Sequence, residues 1–275
     1  MRLPSQGKLV PILSRSFMNQ KPNILITNDD SIHAPGIKHL WQALQDTCDL
    51  KIVAPASEKS GVGMCLTLWD PIHIHTVDWH KDTPAWKVTG TPADCVRLAT
   101  SQLLTTPPDL VVSGINRGAN SGRTILYSGT IAGVIEATMR DIPGIAFSCQ
   151  DYENPNYAQF EQYVYPLVRY VLDHPLPRGC FLNVNFPATK KVQGIKMTRQ
   201  GMSIFKDDTQ ERTHPDGYSY YWMSGKWQAH PEHEHSDVKA LENGFISASP
   251  IYVHELTHLE VISSRKKHFE DILNF

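Results

Sequence analysis

The sequence has 275 residues, of which 26 are Lys or Arg and 28 are Asp or Glu, so its formal net charge is −2 with histidine neutral. This balance excludes a strongly basic nucleic-acid-binding surface, and we expect no nucleic-acid polymer as a partner. With 41% hydrophobic and 20% charged residues, the chain has enough apolar material for a folded core, which excludes a disordered chain, collagen and a coiled coil. No apolar run approaches the roughly 18 residues that span a bilayer, so we expect no membrane partner.

The five cysteines, at positions 48, 65, 95, 149 and 180, are odd in number, widely spaced and without a C-x-x-C pair. Their pattern argues against a disulfide framework and against a structural zinc site. We therefore interpret them as small buried apolar residues and expect a reducing, cytoplasmic setting. The 13 histidines are the one anomaly of composition, and they prompt a search for a metal site.

The first twenty residues contain three basic and no acidic side chains. Their apolar stretch, 9–13, is interrupted by Pro11 and is too short for the core of a signal peptide. We predict a disordered tail over 1–20, or a segment upstream of a translation start at Met18. The first element of the fold is a strand at 23–27, whose short apolar run is typical of a parallel strand buried on both faces.

Helices and strands alternate after this strand. Directly after Pro35, apolar residues recur at the spacing of a helix, and these are Ile37, Leu40, Trp41 and Leu44. Further strands are predicted at 50–53, 85–88, 110–113, 144–148 and 181–186. Further helices are predicted from an N-cap at Thr91 toward Leu104, over 131–139 and over 160–172. This alternation predicts an α/β fold with a doubly wound parallel sheet, which forms a catalytic core over 21–195.

The character of the sequence changes after about residue 196. The stretch 207–235 is rich in Tyr, Trp, His, Gly and acids without a clean period, which predicts an extended or hairpin appendage. A returning strand is predicted over 245–253, and a closing helix is indicated by Leu259, Ile262, Phe269 and Ile272. The aromatic residues of 218–227 favour an association surface, with packing inside the chain as an equal alternative. We therefore assign 196–275 to an appendage with its returning strand and C-terminal helix, for which oligomerisation is one of these two alternatives.

Polar residues follow the predicted strands at the edge where an open parallel sheet binds ligands, beyond the carboxyl ends of its strands. Three loops contribute them: Asn28, Asp29, Asp30 and Ser31; the glycine-rich run Ser60, Gly61, Val62 and Gly63; and Gly114, Asn116, Gly118 and Asn120. We expect these three loops to converge on one rim.

Two adjacent acidic residues, Asp29 and Asp30, come just after the first predicted strand. In a partly desolvated pocket they repel one another, and a divalent cation is the usual remedy. The alternative is that the pair only caps the helix that follows. Oxygens of Ser60 and Asn116 would complete an all-oxygen set, which suits Mg²⁺ or Mn²⁺, whereas zinc favours His and Cys. We therefore predict one divalent cation at this rim.

A phosphate-binding turn is predicted where Tyr127, Ser128, Gly129 and Thr130 precede the helix at 131–139. Backbone N–H groups, the helix dipole and two hydroxyls would point at one spot. Taken alone, Ser-Gly-Thr is equally an ordinary N-cap, and its joint occurrence with the glycine-rich loop carries the prediction. Asn28 and Gly61, on the same rim, are further candidates for substrate contacts.

Two histidine motifs offer other metal sites. Residues 254–258 match H-E-x-x-H, which places two zinc ligands on one face of a helix. Thr257 and Glu260 form a plausible capping box, so we predict that the helix begins at Thr257 and leaves His254 outside it. The run 230–235 contains three histidines, but such a short polar run is more typical of a solvated loop.

Seven segments of the chain form an ordered set of motifs. They are Ile-Leu-Ile-Thr-Asn-Asp-Asp-Ser-Ile-His-Ala-Pro-Gly-Ile at 24–37, Val-Ala-Pro at 53–55, Ser-Gly-Val-Gly at 60–63, Val-Thr-Gly-Thr-Pro-Ala-Asp-Cys-Val at 88–96, Val-Ser-Gly-Ile-Asn-Arg-Gly-Ala-Asn at 112–120, Tyr-Ser-Gly-Thr at 127–130 and Leu-Asn-Val-Asn-Phe-Pro at 182–187. In this order they closely resemble the survival protein SurE family of 5′/3′-nucleotidases, and the resemblance runs from about residue 21 to the C-terminus.

The resemblance implies a Rossmann-like core that binds one divalent cation, and a C-terminal arm exchanged between subunits of a homodimer or homotetramer. It implies the metal ligands Asp29, Asp30, Ser60 and Asn116. It implies the phosphate-binding residues Asn120, Ser128, Gly129 and Thr130. The chain departs from the family pattern at Ser31, where glycine is common, at Met64-Cys65, which replace a usual His-Ser, and at Arg123-Thr124, where acids are frequent. None of these is a proposed ligand, but Arg123 would change the charge of the pocket.

The resulting hypothesis is metal-assisted hydrolysis of nucleoside monophosphates to nucleoside and inorganic phosphate, with short polyphosphate as a further candidate substrate. Either Asp29 or Asp30 would accept the proton of the attacking water. A phospho-receiver domain would need a third Asp and a Lys after later strands, and a haloacid dehalogenase would need D-x-D. A nucleotide-binding regulator without turnover also remains an alternative, which a phosphate-release assay would separate from an enzyme.

Overall fold

The computed structural model describes residues 20–273, so the predicted tail, apart from residue 20, lies outside the described residues. The strands are β1 (Asn23–Thr27), β2 (Asp49–Pro55), β3 (Ile74–Thr76), β4 (Ala85–Val88), β5 (Leu110–Arg117), β6 (Gly144–Cys149), β7 (Cys180–Phe186), β8 (Ile195–Met197), β9 (Ile204–Asp207), β10 (Gln210–Thr213), β11 (Ser219–Trp222), β12 (Gly225–Gln228) and β13 (Ile246–Tyr252). The α-helices are α1 (Pro35–Leu44), α2 (Pro92–Leu98), α3 (Gly129–Thr138), α4 (Glu161–Asp173), α5 (Asp237–Glu242) and α6 (Leu259–Glu270).

A nine-stranded sheet with the order β3-β4-β2-β1-β5-β6-β7-β13-β8 forms the centre of the molecule. All neighbouring strands are parallel except β3 with β4 and β7 with β13. The predicted α/β fold with a Rossmann-like, doubly wound, mostly parallel sheet is therefore confirmed. The chain passes from β1 to β2 on one side and later returns to β5 on the other side of β1. This reversal opens a crevice at the carboxyl ends of β1 and β5.

Helices cover both faces of the sheet, and the alternation of side chains along β1 shows how. Ile24 and Ile26 belong to a core with residues of α1 and α4. Leu25, between them, packs on the opposite face with residues of α2 and α3. The strand is therefore buried on both faces, which its continuous apolar run predicted.

The predicted helices are present, with small shifts at their ends. The four apolar residues that predicted α1 are all buried in it. Thr91 caps α2 in a capping box with Asp94, and after Leu98 the helix continues as a π-helical turn over Ala99–Leu103, close to the predicted end at Leu104. The helix α3 begins at Gly129, before the predicted start at 131, because Ser128 is its N-cap.

The strand β5 is longer than predicted, ending at Arg117 rather than at Ser113. Its pairing with β6 shifts register between Ser113 and Asn116 and then resumes. Asn116 therefore lies near the end of a paired strand rather than in a loop. This irregularity is not visible as a break in the apolar pattern, which ends at Ser113.

The C-terminal part contains the predicted hairpin elements and the returning strand. The strand β9 pairs with β12, β10 pairs with β11, and β13 returns antiparallel to β7 in the main sheet. The predicted closing helix is present as α6, and its side chains Leu259, Ile262 and Phe269 are exposed. Its N-cap is His258, whose ring accepts from Val261 N, so the predicted capping box at Thr257 is wrong.

The five cysteines are free thiols, and their prediction as buried residues is only partly correct. Cys48, Cys95 and Cys149 are buried, Cys180 is half-buried, and Cys65 is exposed. None of the helices in residues 20–273 combines the length and apolar character needed to cross a membrane.

Candidate active site

The end of β1, the loop at 59–60 and the start of α3 meet around Asp29, a residue that is only 3% exposed. Its Oδ1 accepts a hydrogen bond from Oγ1 of Thr130 at 2.5 Å. Its carbonyl oxygen accepts from the N–H of Lys59 at 2.7 Å. A Cβ on Gly129 would lie 2.7 Å from Cβ and 3.0 Å from Oδ2 of Asp29, so only glycine fits at this helix start.

The two carboxyl groups of the acidic pair lie in an environment that disfavours their ionised forms. Burial raises the pKa of Asp29 to about 7; the hydrogen bond from Thr130 opposes this rise, and the charge of Asp30 adds to it. Burial also raises the pKa of Asp30, although the N–H of Arg117 donates to its Oδ2 at 3.0 Å. The nearby charge of Glu58 raises the pKa of Asp30 further. A cation at this position would reverse these effects, because it favours both carboxylates.

Two asparagine side chains at the rim are oriented through their NH₂ groups. The amide of Asn116 donates to the carbonyl oxygens of Arg117 at 3.3 Å and Gly118 at 2.8 Å, bonds that leave its Oδ1 unused. The amide of Asn28 donates to the carbonyl oxygen of Ser31 at 2.7 Å. The Oδ1 of Asn28 is buried and has no hydrogen-bond partner among the described residues. A buried acceptor without a donor is costly unless a ligand or water satisfies it.

Ser60 differs from the other predicted metal ligands because it is exposed. Its hydroxyl donates to Oε1 of Glu58 at 2.8 Å. Ser60 directly follows Lys59, whose N–H donates to the carbonyl oxygen of Asp29. Gly61 follows with a φ of 73°, and a Cβ there would meet no other atom within 4 Å. Glu58 could not be predicted from the sequence as part of this site, because it belongs to no motif.

The predicted phosphate-binding turn is the N-terminus of α3. The Oγ of Ser128 accepts from Ile131 N at 3.2 Å, so this serine does cap the helix. Ser128, Gly129 and Thr130 are all buried, and the first turn contains no acidic residue. The N–H groups of a first helical turn have no partner within the helix, so this end of α3 is suited to an anion. The cap and the anion-binding interpretations are compatible here.

Asn120 is held in place by side chains of the neighbouring strands. Its N–H donates to Oδ1 of Asn185 at 2.7 Å, and its carbonyl accepts from the amides of Asn183 at 2.7 Å and Asn185 at 3.2 Å. Its own amide donates to Oγ of Ser148 at 2.9 Å. These three supporting residues, Asn183, Asn185 and Ser148, were not predicted as part of the site. Their signal was two asparagines spaced by two in an apolar strand, which places both on one face.

The histidine motifs and Arg123 do not join this site. The described residues contain no group of three or more His, Cys, Asp or Glu side chains placed to hold a metal ion, so neither 230–235 nor 254–258 forms such a cluster. The guanidinium of Arg123 donates to Sδ of Met202 at 3.5 Å, in the C-terminal part. The expectation that Arg123 changes the charge of the pocket has no support in this contact.

The mostly parallel sheet with helices on both faces places this protein in the class of Rossmann-like α/β proteins. The chain matches the sequence model of the survival protein SurE family over residues 24–207, and it belongs to this family. The resemblance seen in the sequence is therefore confirmed.

Curated relatives and a solved structure agree with this assignment. A protein named 5′-nucleotidase SurE from Protochlamydia amoebophila is 46% identical over 261 residues, which cover 94% of this chain and 100% of that relative. A protein of the same name from Christiangramia forsetii is 40% identical over 240 residues, covering 84% and 91%. The crystal structure of the SurE protein from Aquifex aeolicus superposes with a TM-score of 0.78 at 36% identity, covering 90% of this chain and 100% of that one.

Proposed function

We propose that this protein is a divalent-metal-dependent 5′-nucleotidase that converts nucleoside monophosphates to nucleosides and inorganic phosphate. The observation that carries the proposal is the contact between Asp29 and the start of α3, which joins a buried acidic pair to an anion-binding helix end. The names of the relatives support the same activity. We further propose that the protein acts in the cytoplasm as a homodimer or homotetramer through its C-terminal arm.

The donor atoms at the rim fit a hard divalent cation. Asp29, Asp30 and Asn116 offer two carboxylates and an amide oxygen, and Ser60 would add its hydroxyl by releasing Glu58. Such an all-oxygen set suits Mg²⁺ or Mn²⁺. When bound there, the cation would polarise a phosphoryl oxygen and lower the pKa of a water molecule.

The residues of the chain supply the remaining steps. The N-terminus of α3, with Ser128, Gly129 and Thr130, would stabilise the negative charge on the equatorial phosphoryl oxygens. Asp30 is less buried than Asp29, and its Oδ1 is not used by the hydrogen bond from Arg117, so it is the better placed acceptor for the proton of the attacking water. Thr130 would keep Asp29 in position. Asn120, with Asn28 and Gly61, would contact the substrate.

The test is phosphate release from a panel of 5′- and 3′-mononucleotides and short polyphosphate, with Mg²⁺, Mn²⁺ or excess chelator. We expect metal-dependent turnover of 5′-mononucleotides, and its loss by at least about a hundredfold in Asp29→Asn and Asp30→Asn while both variants remain folded. Binding of nucleotide without any phosphate release would favour a regulator instead. Near wild-type turnover in both variants would reject the site.

A further inference from the structure

An exposed arginine and an exposed tyrosine stack on each other at the rim of the candidate site. The guanidinium carbon of Arg117 lies 4.3 Å from the centroid of the Tyr152 ring. The Nε of Arg117 donates to the carbonyl oxygen of Tyr152 at 2.7 Å, so this nitrogen contacts the main chain rather than a carboxylate. Tyr152 follows β6 and is 55% exposed. Neither side chain contacts the phosphate in the chemistry described above, although the positive charge of Arg117 lowers the pKa of Asp30.

The main chain of Arg117 is hydrogen-bonded to two of the residues that would hold the metal. The N–H of Arg117 donates to Asp30, and the amide of Asn116 donates to the carbonyl oxygens of Arg117 and Gly118. Gly118 has a φ of 100°, which favours glycine, and a Cβ there would lie 3.2 Å from Cδ2 of Tyr152. The Arg117 side chain therefore starts from a fixed point beside the acidic pair and extends outward along the rim.

We propose that the Arg117–Tyr152 pair is a stacking platform for the nucleobase of the substrate, an inference that rests on the proposed nucleotidase function. A guanidinium is planar, and a flat group that already lies on a tyrosine ring can receive a second flat group on its other face. The Arg117 main chain is bonded to Asp30, and the neighbouring Asp29 is bonded to Thr130 at the start of α3, so both places lie around the acidic pair. A phosphate at the start of α3 and a base on Arg117 would thus engage the two ends of one nucleotide.

The platform determines which class of phosphate ester is preferred. Every nucleobase has a π-face, so stacking distinguishes a nucleotide from a simple sugar phosphate without selecting strongly among bases. The competing explanation for Arg117 is that its positive charge attracts the phosphate. Charge attraction would act equally on any phosphate monoester, whereas stacking acts only on those that carry a base.

The experiment compares AMP with ribose 5-phosphate, which has the same phosphate and sugar but no base, in the presence of Mn²⁺. The variants are Arg117→Ala, Arg117→Lys, Tyr152→Ala and Tyr152→Phe. Each Arg117 variant keeps the main-chain N–H that bonds Asp30. Arg178→Ala and Tyr170→Ala are matched controls, since Arg178 pairs with Asp141 in the turn before β6 and Tyr170 stacks on His174.

Stacking predicts that Arg117→Ala, Arg117→Lys and Tyr152→Ala lower kcat/KM for AMP by at least about fivefold, mainly through KM. Arg117→Lys and Tyr152→Ala keep the positive charge beside Asp30 and should keep kcat/KM for ribose 5-phosphate within about twofold of wild type. Arg117→Ala removes this charge, so its test is a loss for AMP that exceeds its loss for ribose 5-phosphate by at least about twofold. Tyr152→Phe retains the ring and should resemble wild type, as should both controls. Equal losses for the two substrates, or no loss for AMP, would overturn the platform.

Failure of the proposed function would look different. If wild-type protein released no phosphate from any ester with Mg²⁺ or Mn²⁺, the nucleotidase proposal would be rejected. The affinities of the protein for AMP and ribose 5-phosphate, measured by calorimetry, would then test the stacking platform independently of catalysis. Tighter binding of AMP that is lost in Arg117→Ala supports it, and equal affinity of wild type and Arg117→Ala for AMP overturns it.

Discussion

Thr130 donates its hydroxyl proton to Oδ1 of Asp29 across 2.5 Å, and this bond joins the first turn of α3 to the end of β1. Both side chains are buried, so water does not compete for either atom. The two halves of the candidate site, the carboxylates and the anion-binding turn, are thus held in register by one charge-assisted hydrogen bond.

Replacing Thr130 with Val should weaken metal binding in a pH-dependent way. Valine keeps the shape of threonine but removes the bond that lowers the pKa of Asp29, so that pKa should rise above about 7. Because a metal ligand must be ionised, the Mn²⁺ affinity of the variant should fall most below pH 7 and recover toward pH 9. Thr130→Ser keeps the hydroxyl and is the control. Calorimetric titration with Mn²⁺ at several pH values measures the effect, and identical pH dependence in Thr130→Val and wild type would contradict it.

Replacing Asp29 with Asn should stabilise the metal-free protein above pH 7. The folded pKa of Asp29, about 7, exceeds its ordinary value of 3.8, so the unfolded chain loses this proton first as pH rises. The free energy of unfolding of the metal-free wild type therefore falls by roughly 2 to 4 kcal/mol as the pH rises from about 4 to about 7. The asparagine side chain of the variant does not ionise, so the variant avoids this loss.

The measurement for Asp29→Asn is thermal unfolding in chelator at pH 4 and pH 8. We expect the variant to unfold at a higher temperature than wild type at pH 8, with little difference at pH 4. Saturating Mn²⁺ should reverse the order at pH 8, because only wild type gains from the metal. A variant less stable than wild type at pH 8 in chelator would refute the assignment of burial as the dominant cause.

The parts of the molecule that depend on local periodicity could be predicted from the sequence, whereas those set by tertiary pairing could not. The strand Asn23–Thr27 and the buried face of α1 follow directly from apolar spacing. The end of β5 depends on a register shift against β6, and the exposure of α6 depends on what packs beside it. Neither is encoded in the spacing of residues along one segment.

The candidate site shows the same division. The rule that ligands bind beyond parallel strand ends was sufficient to select Asp29 and Asp30. The contact between Asp29 and Thr130 joins residues 101 positions apart and is visible only in the fold. The stacking of Arg117 on Tyr152 likewise joins the ends of β5 and β6, and no motif in either segment indicates it.

Ser31 should be a site where glycine stabilises the chain. Its φ is 92°, a backbone conformation that residues other than glycine rarely adopt. Its carbonyl oxygen accepts from the Asn28 amide. Glycine relieves this strain and retains the carbonyl, so we expect Ser31→Gly to raise the free energy of unfolding by about 1 kcal/mol. Ser31→Ala keeps the Cβ and should give no gain. Chemical denaturation of the three proteins checks this, and a loss of stability in Ser31→Gly would contradict it.

Asn185 should matter more than Asn183, although both are fully buried and both donate to the carbonyl oxygen of Asn120. Asn185 also accepts from the N–H of Asn120, so Asn185→Ala leaves a buried donor unpaired at a cost of about 1 to 3 kcal/mol. Asn183→Ala leaves the Asn120 carbonyl with one donor and also removes an Oδ1 that has no partner among the described residues. We therefore expect the larger losses of unfolding free energy and of kcat for AMP in Asn185→Ala, measured by denaturation and by phosphate release. Equal effects of the two substitutions would show that Asn120 is not held through its N–H.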